Sequence, residues 1–205
     1  MSNLLDKASV ILTPTAYNTS EALCVKPSDG TGDFDFSRAT EATRINSLGL
    51  VETIGINLPR INYEGGCGSW LFEPQSTNLF DYSEDLGNSY WSDFGTEVSR
   101  NLNASQINPS GTAGSYELEG VGGLRRFGIF LTVTPSTDYT LSFYAKNIDA
   151  TLLKALFTNS SITTYTYTSE VNTTDWSRVE INFTTLTGTS TSVQILRDLP
   201  IGESA

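Results

Sequence analysis

Short segments in which apolar and polar residues alternate recur along the second half of the chain, and they limit its fold more than any other feature. In one of them, Tyr139, Leu141 and Phe143 would share one side of a strand. Turn residues separate the segments, and no pattern for a crossover helix lies between them. The sequence therefore predicts an antiparallel β-sandwich. The segments are residues 127–133, 139–145, 152–157, 163–168, 178–184 and 192–196.

The charged residues exclude several functional classes. The chain contains no histidine, so catalytic triads, imidazole bases and metal sites that depend on histidine are excluded. Its 12 Lys and Arg residues against 23 Asp and Glu give a net charge of −11. Because phosphate binding requires clustered basic side chains, we expect neither nucleic acid nor a membrane surface as a partner. The first residues lack the basic and apolar regions of a signal peptide, so none is expected.

Carboxylates at Asp29, Asp33 and Asp35 raise the question of a metal site. The stretch departs from the EF-hand pattern at its sixth and twelfth positions. Two alternatives remain, a Ca²⁺ site of another kind and an Asp-Gly turn leading into a strand, and we favour the turn. Cys24 and Cys67 are too few soft ligands for a structural zinc. A disulfide between them is one alternative and two reduced, buried thiols are the other, and we favour the thiols. The sequence thus predicts no metal and no cofactor, with Ca²⁺ as the alternative.

Paired carboxylates are the other chemistry to consider, because a glycosidase requires only two Asp or Glu residues. The densest pairs are Asp33 with Asp35 and Glu84 with Asp85. A chain with 23 carboxylates offers such pairs by chance, and no further feature of the sequence supports catalysis. We therefore predict no catalytic residues, and a chain that is not an enzyme.

Aromatic side chains in the second half are candidates for stacking on sugar rings. Alternation places Tyr165 and Tyr167 on the same face of a strand, and Trp176 follows in the next turn region. Packing in the core is the competing interpretation, because aromatic residues dominate β cores. We carry these three residues as candidate glycan contacts.

An ordered string in the first half resembles a known family. It runs from FDFSRATEATRIN (34–46) through GLVE (49–52), NLPRINYEGGC (57–67) and LFEPQSTNL (71–79) to YSED (82–85). This string is similar to the head-fibre or spike domain found in virion proteins of tailed bacteriophages, including crAss-like phages of gut Bacteroidota. In that family the domain precedes a jelly-roll module that resembles carbohydrate-binding modules. Residues 132–146 resemble one strand pair of such a module.

The resemblance implies an all-β chain in which an N-terminal, β-rich fibre or attachment domain precedes a jelly-roll-like β-sandwich. We divide it into an anchoring segment at 1–22, a motif domain at 23–80, an aromatic linker at 81–95 and a jelly-roll module at 96–205. The motif residues are expected to be structural, with the arginines ordering loops by pairing with carboxylates. They are Phe36, Arg38, Arg44, Asn46, Pro59, Arg60, Tyr63, Glu73, Pro74, Gln75 and Asn78.

The resemblance also implies a function. The chain is expected to be a structural virion protein, a head (capsid) fibre that is anchored by its N-terminal part and exposes a carbohydrate-binding-like sandwich. The alternative is a tail-fibre or tailspike adhesin that binds host surface glycans. The expected location is the virion surface, after assembly in the host cytoplasm. The expected partners are phage capsid proteins, host surface glycans and other copies of this chain, in a homotrimer or alternatively a dimer.

The N-terminal apolar residues have no obvious strand partner in the sequence. They are Leu4, Leu5, Val10, Ile11 and Leu12. We therefore expect them to contact the capsid or a neighbouring subunit.

Overall fold

Antiparallel strands make up nearly all of the regular structure in this computed structural model, which describes residues 4–74, 76–94, 98–122, 126–197 and 201–205. The all-β class predicted from the sequence is therefore confirmed. Internal contacts divide the chain into two units, Met1–Ser76 and Thr77–Ala205, which we call unit 1 and unit 2. Within the described ranges, no helix is both long and apolar enough to span a membrane.

Unit 1 consists of short strands joined by tight turns. A three-stranded sheet has the order β1-β2-β3, while β4 pairs with β5 and β6 pairs with β7. Its elements are α1 (Leu4–Lys7), β1 (Ile11–Asn18), β2 (Glu21–Lys26), β3 (Phe34–Asp35), β4 (Ala42–Ile45), β5 (Val51–Ile54), β6 (Ile61–Asn62) and β7 (Ser69–Trp70).

The β4–β5 turn shows how local chemistry builds this unit. The side-chain oxygen of Asn46 accepts hydrogen bonds from the backbone N–H groups of Leu48 and Leu50, at 2.9 and 3.0 Å. Gly49 has a φ of +80°, a conformation that a side chain would strain. An Asn at the start of the turn and a Gly at the left-handed position therefore fix the pairing of the two strands.

The N-terminal residues differ in part from the expectation. Ile11 and Leu12 belong to β1 and pair with Lys26 and Cys24 of β2, so the premise that they lack a strand partner in the chain is wrong. Backbone pairing requires no apolar pattern, which is why the sequence did not reveal it. The side chain of Leu4 is 84% exposed. Leu5 belongs to α1 and not to a strand, and its side chain is not among those that the structure describes.

Unit 2 contains the longer strands and a single apolar core. Its elements are β8 (Val98–Ile107), β9 (Ala113–Gly120), β10 (Arg126–Thr132), β11 (Asp138–Ala145), β12 (Lys154–Phe157), β13 (Thr164–Thr166), a 3₁₀ turn (Thr168–Glu170), β14 (Ser177–Thr184) and β15 (Ser190–Arg197). One sheet has the order β10-β15-β12-β13, while β11 pairs with β14 and β8 pairs with β9.

The connectivity of unit 2 is that of a jelly roll. The antiparallel pairs are nested along the chain: β10 pairs with β15, β11 with β14 inside that pair, and β12 with β13 innermost. A further pairing, of β12 with β15, joins the outer and inner pairs into one sheet. Such nesting arises when a long hairpin wraps around a core, and it places β11 and β14 opposite the four-stranded sheet.

Alternating residues of β11 and β14 build one side of this core. Val179, Ile181 and Phe183 are buried on β14, and Leu141 is buried on β11. The ring of Phe183 lies 4.7 Å from that of Phe157 on β12, measured between centroids. The period of two in the sequence therefore directs the apolar half of each strand towards the opposite sheet.

The aromatic stretch that the sequence suggested as a linker belongs to unit 2. Trp91 is only 5% exposed, and its ring stacks between Phe80 and Phe127, with centroids 5.3 and 5.4 Å away. Its indole N–H donates to the carbonyl of Tyr82 at 2.8 Å. Burial of large rings explains why this stretch, although rich in turn residues, packs as part of the sandwich.

Candidate functional site

The outer face of the β11–β14 pair carries only polar and amphipathic side chains. Because inward residues alternate with outward ones, each inward apolar residue leaves a polar neighbour facing solvent. The outward residues form four cross-strand pairs: Asp138 with Thr184, Thr140 with Asn182, Ser142 with Glu180, and Tyr144 with Arg178.

Hydrogen bonds hold two of these pairs in fixed geometry. The Thr184 hydroxyl donates to Asp138 Oδ1 at 2.6 Å. The Thr140 hydroxyl donates to Asn182 Oδ1, also at 2.6 Å. Both bonds lie directly across the strands, so they orient the carboxylate and the amide side by side on the same face.

A groove of about 380 Å³ lies at this end of the ribbon. The backbone N–H of Ser161 donates to the carbonyl of Thr184 at 2.7 Å, and the N–H of Thr184 donates back to Ser161 Oγ at 2.9 Å. These bonds bring a loop from between β12 and β13 against β14, which closes one wall. The groove is lined by Asp138, Tyr139, Thr140, Ser161, Asn182, Phe183 and Thr184.

The groove is equipped for binding through hydrogen bonds. After the internal bonds are formed, Asp138 Oδ2 accepts no hydrogen bond and Asn182 Nδ2 donates none within the described residues. Hydroxyl groups stand beside both, and no Lys or Arg lines the groove. These residues were not among those predicted from the sequence, although the alternation that placed Tyr139 and Leu141 inward already implied that their neighbours face outward.

The three predicted glycan contacts have separate environments, and none of them lines this groove. Tyr167 cannot stack on a sugar, because it is 3% exposed and its hydroxyl donates to the carbonyl of Ile195 at 2.7 Å. Its burial raises the pKa of the phenol. Tyr165 is half-buried and donates to Glu170 at 2.8 Å, which raises its pKa. Trp176 is half-buried and donates to the carbonyl of Ile107. The prediction is wrong for Tyr167 and stays a prediction for the other two.

Arg38, in the motif string of unit 1, gathers backbone carbonyls. Its guanidinium lies within hydrogen-bond distance of the carbonyl oxygens of Thr40, Ile54, Gly55 and Leu58, at 2.5 to 3.2 Å. Burial lowers its pKa most, and the nearby Arg60 adds to this effect. We expected Arg38 to pair with a carboxylate. It contacts backbone carbonyls instead, and through them it orders the loop that follows β5.

The other two motif arginines pair with carboxylates. Arg44 Nη2 lies 2.6 Å from Glu52 on the neighbouring strand, and the hydrogen bond from Arg44 lowers the pKa of Glu52. Arg60 Nη1 lies 2.7 Å from Glu73, and its Nε donates to the carbonyl of Thr43. These contacts link strands and loops within unit 1.

The remaining motif residues are placed as follows. Pro59 is fully buried, Phe36 and Tyr63 are half-buried, Pro74 is exposed, and Asn78 accepts a hydrogen bond from the N–H of Phe80. Gln75 lies outside the described residues.

No group of three or more Cys, Asp or Glu residues could hold a metal ion in the part of the chain that the structure describes. Asp29 instead accepts two hydrogen bonds from Thr31, and Asp33 accepts one from the N–H of Cys24. The bonds from Thr31 form a local turn at Asp29, and the absence of a metal and a cofactor stays a prediction. Both cysteines are free, and Cys24 is buried as expected. The expected burial of Cys67 is wrong, because it sits in a glycine-rich loop open to solvent.

Comparison with solved structures finds a distant likeness to a domain of a phage protein. No protein-family model matches the chain, and no curated protein matches it. The enzymatically active domain of tailspike protein 4 of bacteriophage CBA120 is similar to it, with a TM-score of 0.35 and 21% identity. The similarity covers 60% of this chain, which spans 21% of the length of that one. At these values the likeness carries no argument about partners or substrate.

This comparison nevertheless corrects one expectation. The prediction that the chain is not an enzyme is contradicted, because the matched phage domain is described as enzymatically active. The prediction is therefore withdrawn, and the match by itself assigns neither a reaction nor a substrate to this chain.

Proposed function

We propose that the chain is part of a bacteriophage virion appendage, with unit 1 towards the particle and the jelly roll of unit 2 towards the host. The observation that carries this proposal is the order of the two parts. A unit built around the motif arginines precedes a jelly roll whose outer ribbon face is polar. This order is the one implied by the resemblance to phage head-fibre and spike domains. The proposed location is the virion surface.

The first form of the proposal is a head fibre anchored to capsid proteins through its N-terminal part. Exposed apolar side chains at the start of unit 1 support it, since Leu4, Val10 and Leu12 all face solvent. A contact with the capsid would remove this apolar surface from water. Deletion of residues 2–22 would also remove β1, so a milder variant is needed for the test.

The test is incorporation of a Leu4→Asp, Val10→Asp double variant into phage particles. Both side chains are exposed, so the variant should fold, while two charges in an apolar contact should prevent anchoring. We expect the variant to be missing from purified virions although it is expressed and folded. Ser9→Asp, between the two in the same segment, serves as the control. Incorporation of the double variant at the wild-type level would contradict capsid anchoring through these residues.

The second form is a tail-fibre or tailspike adhesin that binds host surface glycans. The groove on the outer face of β11 and β14 supports it, because hydroxyl, amide and carboxylate groups converge there. Gold-labelled antibodies against the chain, viewed on intact particles, separate the two forms. Label on the head supports the fibre, label on the tail supports the adhesin, and unlabelled particles contradict both.

We also propose that the chain assembles into a homotrimer, with a dimer as the alternative. Copies of a chain with net charge −11 repel one another, so association should strengthen as salt screens that repulsion. Light scattering of the purified chain at low and high salt measures this directly. A mass of one 22.3 kDa chain under both conditions would contradict self-assembly in solution.

A further inference from the structure

We propose that the groove on the outer face of β11 and β14 binds an uncharged glycan through two neighbouring hydroxyls of one sugar ring. This inference rests on the proposed function in its adhesin form and adds the ligand class and the residues that select it. The volume of about 380 Å³ is at the small end of ligand sites, which fits one or two sugar rings.

The hydrogen-bonding groups of the groove are complementary to a pair of hydroxyls. Thr140 occupies Asn182 Oδ1, so the amide presents its Nδ2 hydrogens to the ligand. Thr184 occupies Asp138 Oδ1, so the carboxylate presents Oδ2 as an acceptor. A sugar hydroxyl both donates and accepts, so one hydroxyl can donate to Asp138 while its neighbour accepts from Asn182.

The spacing of these two side chains suits that task. Asp138 and Asn182 are diagonal neighbours across an antiparallel pair, where side chains of one face are typically about 7 Å apart. Each can therefore reach a different oxygen of one ring. The internal bonds from the two threonines restrict the rotation of both groups before a ligand arrives, which reduces the entropy lost on binding.

The charge of the groove selects against acidic sugars. Among the described residues that line it, Asp138 alone is charged, and its charge is negative. Arg178, a cation on the same face, is paired with Glu180 at 2.5 Å. A sialic or uronic acid would bring a second carboxylate beside Asp138 without a compensating cation, in a chain of net charge −11.

The test is binding of the full chain to an array that carries neutral and acidic glycans on the same surface. We expect binding to neutral glycans and none to sialylated or uronic-acid glycans. Asn182→Ala and Asp138→Ala should each weaken binding to the best neutral glycan by about tenfold, since each removes one ligand contact. Ser142→Ala, on the same face but outside the groove, is the matched control and should bind as the wild type does.

Asp138→Asn tests the charge argument separately. It keeps a side-chain oxygen and removes the negative charge, so acidic glycans should begin to bind. Circular dichroism of every variant checks that the fold is retained. The inference is overturned if the wild type binds acidic glycans as well as neutral ones, if no glycan binds, or if folded Asn182→Ala and Asp138→Ala bind unchanged.

Failure of this inference and failure of the proposed function give different results. If particles carry the label but the groove variants bind glycans as the wild type does, the appendage proposal is supported and the groove is not the glycan site. If neutral glycans bind in a manner that depends on Asp138 and Asn182 but particles are unlabelled, the groove is supported as a glycan site and the virion role is contradicted.

Discussion

The guanidinium of Arg38 contacts the backbone of unit 1 at several points. Few apolar side chains are buried in its described part, chiefly Ala22, Pro59 and Ile61. Arg38 lies within hydrogen-bond distance of the carbonyls of Ile54, Gly55 and Leu58, at the end of β5 and in the loop that follows it. Because arginine offers five N–H groups in a rigid plane, one side chain can satisfy several carbonyls that would otherwise need separate partners.

Replacement of Arg38 by lysine should therefore destabilise unit 1. Arg38→Lys keeps the charge but loses the planar fork, and we expect a loss of about 2 kcal/mol, typical of hydrogen bonds to charged groups. Hydrogen exchange in the segment 51–62 should accelerate accordingly, while exchange in 138–145 of unit 2 should not change. Arg178→Lys, in an exposed ion pair, is the control and should have an effect below about 1 kcal/mol. Unchanged exchange in Arg38→Lys would show that the carbonyl contacts contribute little.

The pair of Arg44 and Glu52 predicts a pH dependence. The hydrogen bond from Arg44 holds the pKa of Glu52 in the folded chain below the usual 4.5. The unfolded chain therefore binds the proton more readily, so the stability from this pair is complete above pH 4.5 and is lost as the pH falls through the folded pKa. Urea unfolding of unit 1 can be monitored through the amide NMR signals of residues 42–54. Near neutral pH, we expect the wild-type chain to have a higher urea midpoint than Glu52→Gln.

The gap between wild type and Glu52→Gln should close as the solution is acidified below pH 4.5. In an Arg44→Gln background the gap should be small at every pH, because the partner that lowers the pKa is missing. A gap that persists unchanged in acid would contradict the assignment of the stabilisation to this ion pair.

At the scale of elements, β10 depends on a glycine. Gly128 pairs with Gln194 of β15 on one side and forms a bridge with Ser92 on the other. A β carbon at this position would lie 2.5 Å from the α carbon of Gln194 and closer still to the carbonyl oxygen of Val193. The strand is irregular at this point, with a shift of register between Phe127 and Gly128. Only a residue without a side chain allows the backbones to approach so closely.

Gly128→Ala is expected to lower the free energy of unfolding of unit 2 by about 3 kcal/mol, because the backbone on both sides must move. Gly122→Ala is the control, since no atom lies within 4 Å of its added β carbon, and its effect should stay within about 0.5 kcal/mol. Urea unfolding followed by tryptophan fluorescence reports on this region, because Trp91 stacks on Phe127. Equal stability of the two variants would contradict the close approach of β10 and β15.

At the scale of the whole molecule, unit 2 carries its own core. The buried cluster of apolar residues extends from Trp91 to Leu196 and includes residues of the four-stranded sheet, of β11 and β14, and of β8 and β9. The last residues, Gly202 to Ala205, return to β9, where Leu118 and Ala205 exchange backbone hydrogen bonds at 2.9 and 3.1 Å. A unit with a contiguous core of its own, such as this one, has what an independent domain requires.

Residues 77–205 should therefore fold without unit 1. We expect the amide NMR spectrum of this fragment to be dispersed and to overlay that of the full chain for the strands β8 to β15. A fragment that begins at residue 96, where the sequence analysis placed the module, should fail to fold, because it lacks Trp91 and its contact with Phe127. A folded 96–205 fragment and an unfolded 77–205 fragment would contradict the boundary.

The sequence by itself indicated the strands β10 to β15 of unit 2 and the direction of their side chains, but not the bounds of β8 and β9. Alternation assigned Tyr139, Leu141 and Phe143 to the inner face, and it succeeded because side-chain direction in a strand depends only on local geometry. The turn at Asp29 was readable for the same reason, since its hydrogen bonds join residues two positions apart.

Only the tertiary structure decided which residues meet. Tyr165 and Tyr167 have the same pattern in sequence, yet only Tyr167 is buried, and its hydroxyl donates to the carbonyl of Ile195, 28 residues away. The carbonyl partners of Arg38 and the wall that Ser161 forms against Thr184 likewise join distant segments. Such contacts depend on how the nested strand pairs close around the core, and no local preference of the chain contains that information.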